Sequence, residues 1–175
     1  LGRVGNAYFP GANDNSSGIS MMLELANFYS QKENQPEYSI VFMAFSAEEA
    51  GLIGSKYYVN NPLFPLSKIK FLINLDLLGT GDDGVMVVNA TKFSTQFKLL
   101  IQVNEDSKLL PAVKQRGPAA NSDHYYFTEK GVPAFFIYTL GGIAAYHDIY
   151  DKAETLPLTK FKEVFSLLTG FIAKF

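Results

Sequence analysis

The chain has 175 residues, 47% of them apolar and 14% aromatic, which at roughly 100–200 residues per domain reads as a single domain over 1–175 with ample material for a core. Fifteen Lys and Arg against 17 Asp and Glu leave a net charge of −2, so no positive field draws a phosphate backbone, and nucleic acid is excluded as a partner. No apolar run reaches the ~18 residues of a membrane span, and the lack of cysteine removes disulfides and thiolate chemistry without deciding the compartment.

In chain order, the first signal is the loop from Gly11 to Gly18 (GANDNSSG). It offers five polar side chains where a helix N-cap needs one; flanking glycines suit a backbone that must approach something closely, and Asp14 is its only charge. Helical spacing follows in Ile19, Met22, Leu23, Leu25, Ala26 and Tyr29. Residues 40–45 (IVFMAF) predict a buried strand, which hands over to a helix through Leu52, Ile53 and Tyr57. Glu48 and Glu49 stand side by side at that handover. Alone, an acidic first turn needs no more than a helix dipole worth about 0.3–1 kcal/mol.

Residues 71–75 (FLINL) predict a second strand, ending in Asp76, which taken alone would simply make a turn before Gly79. Val85 to Val88 predict a third strand, and Phe97, Leu100, Ile101 and Asn104 a helix. The run 134–138 (AFFIY) predicts a further strand that leads through Gly141 and Gly142 to Tyr146 and His147. From Leu158 to Phe175, one face of a C-terminal helix collects Phe161, Val164, Phe165, Leu168, Phe171 and Ile172. This alternation predicts an α/β fold, a three-layer α/β/α sandwich with a mostly parallel or mixed central sheet.

In such folds ligands gather beyond the carboxyl ends of the strands, and there the sequence places Asp14, Glu48, Glu49, Asp76 and His147. Several carboxylates cannot share a desolvated cleft without a counter-charge. A divalent metal supplies one, and carboxylate plus imidazole without thiolate suits Zn²⁺, Mn²⁺ or Co²⁺.

Five motifs in this order, GANDNSSG (Gly11 to Gly18), FSAEEAGL (Phe45 to Leu52), NLDLLG (Asn74 to Gly79), SDH (Ser122 to His124) and YH (Tyr146, His147), resemble those of the M28 family of zinc peptidases, most of whose members are aminopeptidases. The resemblance implies a secreted or periplasmic enzyme with a peptide substrate and two Zn²⁺ per intact domain. Asp14 would bridge the ions, Glu49 and His147 would complete one site, and Asp76 would belong to the other. Glu48 would be the general base acting on a water held between the ions.

One departure stands out: the family's remaining ligand is a His in a His-x-Asp motif before the loop Asp, and residues 1–13 hold no His. The expectation is a chain that begins just after that motif, leaving one metal site incomplete. A zinc-bound imidazole gives its other N–H to an acceptor, and Ser122, Asp123 and Asp151 are candidates to orient His147; His124 and Tyr146 are further candidates near the substrate. Two alternatives compete. A glutaminyl cyclase-like acyltransferase shares the Glu pair and the late His, but this chain keeps the Asn and Ser-rich first loop and has no Trp for a product pocket. A non-catalytic peptidase-like binding domain usually loses ligands, whereas four of the family's five are present.

Overall fold

The computed structural model describes residues 2–175. A small exposed hairpin, β1 (Gly2–Val4) and β2 (Ala7–Phe9), leads into a kinked helical turn over Ala12–Ser17 and then α1 (Gly18–Ser30). There follow α2 (Ile53–Asn60), β3 (Leu72–Leu75), β4 (Gly84–Val88), α3 (Ser94–Ser107), β5 (Val113–Gln115), α4 (His124–Glu129), β6 (Ala134–Leu140) and α5 (Phe161–Ile172). The main sheet has the order β3-β6-β4-β5. It is mixed: β3 and β6 run parallel, as do β4 and β5, while β4 and β6 are antiparallel.

Layers cover both faces of this sheet, which is why β6 reads as an almost unbroken apolar run. One face carries α1, α3 and α5 over a core of Met21, Leu25, Val85, Val87, Leu100, Phe135, Ile137, Leu167, Leu168 and Phe171. The other carries α2 and α4 through Val59 and Phe127. The two-residue period of a strand sorts the side chains: Leu72 joins the second cluster, while Phe71, Ile73 and Leu75 join the first. Each fully buried aliphatic or aromatic side chain contributes about 1.5–3 kcal/mol, so the four buried residues of α5, Val164, Leu167, Leu168 and Phe171, bind that helix firmly to the sheet. No described helix is long and apolar enough to cross a membrane.

One expected element is absent. Residues 40–45 form no strand, and Val41 is 54% exposed. Apolar, β-prone residues favour an extended chain, but a strand exists only where a neighbour completes its ladder. Here a groove of about 1460 Å³ runs between this segment and β3, with α1 and the end of α5 as further walls. Met43 and Phe45 still pack on the α2–α4 cluster, so the segment stays close enough to deliver the residues after it to the end of the sheet.

Candidate metal centre

The polar side chains of the first loop stitch it to the chain leaving β3. Asn15 Nδ2 donates to Leu75 O at 3.0 Å and Asn15 Oδ1 accepts from Gly18 N at 3.0 Å. Ser17 Oγ donates to Asn13 O at 2.7 Å and accepts from Leu78 N at 2.8 Å, and Asn13 Oδ1 accepts from Gly79 N at 2.8 Å. Gly11 takes the left-handed conformation at φ 68°, and a Cβ on Gly18 would lie 2.6 Å from Leu75 O. The close approach is what the two glycines permit. Asp14 is thereby held beside Asp76.

Glu48 and Glu49 sit in a turn rather than a helix. Gly51 N and Leu52 N both donate to Glu48 O, at 2.9 and 2.8 Å, and Ala47 is left-handed at φ 57°. Beyond β6 the chain turns back at His147, also left-handed at φ 55°. The imidazole Nε2 lies 3.1 Å from Asp14 Oδ2 and 3.1 Å from Glu49 Oε1. Their ligand atoms all lie within 4.8 Å of one another. Glu48 and Asp76 stay outside this trio but close enough to feel its charge.

Burial, helped by Asp123, Glu49 and Asp14, pushes the Glu48 carboxyl up to about 7. Asp76 is pushed to about 8 by burial first, then by Asp14 and Glu48, against a hydrogen bond from Ser122. Asp14 and Asp123 are also raised, each chiefly by burial. Asp76 Oδ1 and Asp123 Oδ1 are buried without a partner. Among the described residues no Lys or Arg forms an ion pair with any of these carboxylates. A set of acids raised by desolvation and mutual repulsion, with unpartnered oxygens and a converging imidazole, fits a bound cation, and oxygen and nitrogen donors without sulfur fit zinc.

The three residues expected to orient His147 do other things; none makes a hydrogen bond to it. Ser122 Oγ donates to Asp76 Oδ2 at 3.3 Å and accepts from Asn74 Nδ2 at 2.6 Å. Asp123 faces Glu48 electrostatically. Asp151 accepts from Asn13 N at 2.7 Å and Asp14 N at 3.0 Å. Their motifs suggested His147 as a common target, but Ser122 meets the carboxylate of Asp76, Asp123 faces that of Glu48, and Asp151 meets the backbone of Asn13 and Asp14. His124 is buried away from the trio, its ring 5.4 Å from that of Phe136. Tyr146 stacks on His147 with ring centroids 3.8 Å apart, and burial together with the nearby carboxylates raises its hydroxyl. The sequence reading missed Asn13, Asn15, Ser17 and Asn74. Their polarity looked like ordinary capping and turn chemistry, and the only signal was the surplus of polar residues in the first loop.

Fold and site together define an α/β protein in which loops at one end of the sheet bring together a carboxylate and imidazole cluster that could hold a metal ion. The profile of peptidase family M28 matches residues 3–172, and the chain belongs to that family. Among curated proteins it is 37% identical over 126 residues to leupeptin-inactivating enzyme 1 of Streptomyces exfoliatus, covering 70% of this chain and 28% of that one. It is 45% identical over 74 residues to aminopeptidase YwaD of Bacillus subtilis, covering 42% of this chain and 16% of that one. Among solved structures, BSAP, a zinc aminopeptidase from Bacillus subtilis, superposes with a TM-score of 0.81 at 28% identity, covering 95% of this chain and 42% of that one. The chain thus spans less than half the length of these relatives.

Proposed function

We propose that residues 1–175 are the metal-binding part of one catalytic domain that hydrolyses peptide bonds, removing N-terminal residues from unblocked peptides. The observation that carries this reading is the convergence of Asp14, Glu49 and His147 with Glu48 beside them but outside the set. The relatives named above, two aminopeptidases among them, favour peptide hydrolysis over the cyclase and non-catalytic alternatives. Asp14, Glu49 and His147 would hold zinc; Asp14 and Asp76 would share a second ion, with an imidazole from outside the described residues. When bound, zinc supplies Lewis acidity toward the scissile carbonyl and toward water.

The chain's own residues supply the rest. Glu48, with its carboxyl near 7, is matched to neutral pH as a general base: it takes the proton of the attacking water at a carboxylate oxygen and returns it to the leaving amine. Ser122, itself held by Asn74, keeps Asp76 aimed into the site. Tyr146 keeps its proton among the carboxylates and offers a donor at the edge of the cleft.

Substituting Glu48→Gln tests the assignment. Bound zinc should be unchanged by metal analysis, while turnover of an unblocked peptide falls about 10²–10⁴-fold. Turnover within a few-fold of the parent protein would refute it. A parent protein that cyclises N-terminal glutamine and leaves unblocked peptides intact would instead favour the cyclase reading.

A further inference from the structure

Two of the three converging ligands come from opposite ends of the chain. Asp14 sits in the loop before α1, and His147 in the loop after β6. Each loop is irregular, and His147 itself is left-handed. Three hydrogen bonds join them, and all three end on one residue. Ala12 N donates to Asp151 O at 3.2 Å, Asn13 N donates to Asp151 Oδ1 at 2.7 Å, and Asp14 N donates to Asp151 Oδ2 at 3.0 Å. Among the described residues these are the hydrogen bonds between 141–151 and the loop 11–18.

Two successive backbone N–H groups, those of Asn13 and Asp14, converge on a carboxylate, an arrangement suited to an anion, while the N–H of Ala12 meets the backbone carbonyl of Asp151. Here the anion is the chain's own carboxylate, 2% exposed, with both oxygens engaged. Hydrogen bonds of an ionised acceptor are the stronger kind. Asp151 also bonds back along its own loop, donating its N–H to Asp148 O at 3.2 Å, as Asp148 N does to Ala145 O at 3.2 Å. His147 therefore lies within a short run of turns anchored at Asp151. On the opposite side, the anchored backbone is that of Asp14 itself, whose carboxylate meets the imidazole at 3.1 Å.

We propose that Asp151 is a positioning residue that sets the separation of the Asp14 and His147 ligands by clamping the backbone of one loop from the other, so that zinc affinity depends on it although it touches no metal. The proposal rests on the metal-centre reading above. It differs from a purely structural role in where its loss is felt: a fold support would lower stability everywhere and leave the folded site's affinity alone, whereas a clamp lets the two ligands drift apart in a folded protein.

The test is zinc affinity measured by chelator competition, with the visible absorption of the Co²⁺-substituted protein as a report on ligand geometry. Asp151→Asn keeps the shape but sets an amide NH₂ against one of the two N–H donors. It should fold, bind zinc about 10–100-fold more weakly, and shift the Co²⁺ bands; Asp151→Glu should recover part of the affinity. Asn104→Ala is the control, because Asn104 likewise bonds a backbone N–H and C=O, those of Leu110 at 2.9 and 3.0 Å, far from the site. It should lower thermal stability and leave zinc affinity unchanged. A folded Asp151→Asn with zinc affinity within about threefold of the parent overturns the proposal. So does an Asp151→Asn that cannot fold, since the residue would then be a general support. A parent protein that takes up no zinc overturns the metal-centre reading as well.

Discussion

Acidification should weaken this fold through His124, by an amount that its surroundings set. The ring is 1% exposed and neither nitrogen has an aligned hydrogen-bond partner. Burial lowers its pKa from 6.5 to about 4, against a weaker opposite pull from the backbone of Ala119 and Ser122. With the folded value below the unfolded one, the neutral ring's contribution is complete above 6.5 and is lost as the pH falls toward 4. Between about pH 7.5 and 4.5 the loss comes to about 2–3 kcal/mol. Asp14, Glu48, Asp76 and Asp123 are shifted upward and act in the opposite sense, because in the metal-free protein they gain stability as they protonate. His124→Gln removes the imidazole and leaves those acids in place. The measurement is urea unfolding of the chelator-treated parent and variant at both pH values. The parent should lose about 2–3 kcal/mol more than the variant. A pH dependence equal within about 0.5 kcal/mol would refute the reasoning. The consequence reaches the site, because His124 directly follows Ser122 and Asp123.

Removing individual ligands separates their roles: Glu49→Ala and His147→Ala should each lower zinc retained after dialysis, and Asp14→Ala should affect every ion the site holds. Full zinc occupancy in Asp14→Ala would refute a bridging role. Lysine at Val41 or Phe42, both exposed on the segment beside the groove, should reduce self-association of residues 1–175 expressed alone, as read by light scattering. Unchanged scattering would show that this segment is not the associating surface.

The legible part of the fold follows burial. Residues 71–75, 85–88 and 134–138 announce themselves as strands because helices cover both faces and nearly every position is apolar, Asn74 being the polar exception. The same logic misplaces 40–45, whose apolar residues are equally dense but which a groove separates from β3, so no ladder completes it. β5, three residues (VKQ) at the edge of the sheet, has too little periodicity to register. At the site, charged residues at strand ends stand out, and the M28 resemblance assigns them. What supports them does not stand out, since the loops that aim Asp151 at residues 12–14 and Ser122 at Asp76 exist only in three dimensions.

The adjacent glutamates show how backbone geometry divides two identical side chains between different tasks. In a regular helix neighbouring residues diverge by about 100°, and both would remain on a solvated surface. Here the left-handed Ala47 and the double acceptance at Glu48 O hold a tight turn instead. Glu49 then meets His147 at 3.1 Å, while Glu48 is buried toward Asp123. The first environment supplies a cationic or donor partner and suits a ligand. The second supplies burial and negative charge, which hold the carboxyl near 7 and suit a group that must accept and release a proton near neutral pH. The turn thus gives two identical side chains different neighbours, an imidazole for Glu49 and partial burial beside Asp123 for Glu48, and it is on this difference that the proposed division into ligand and base rests.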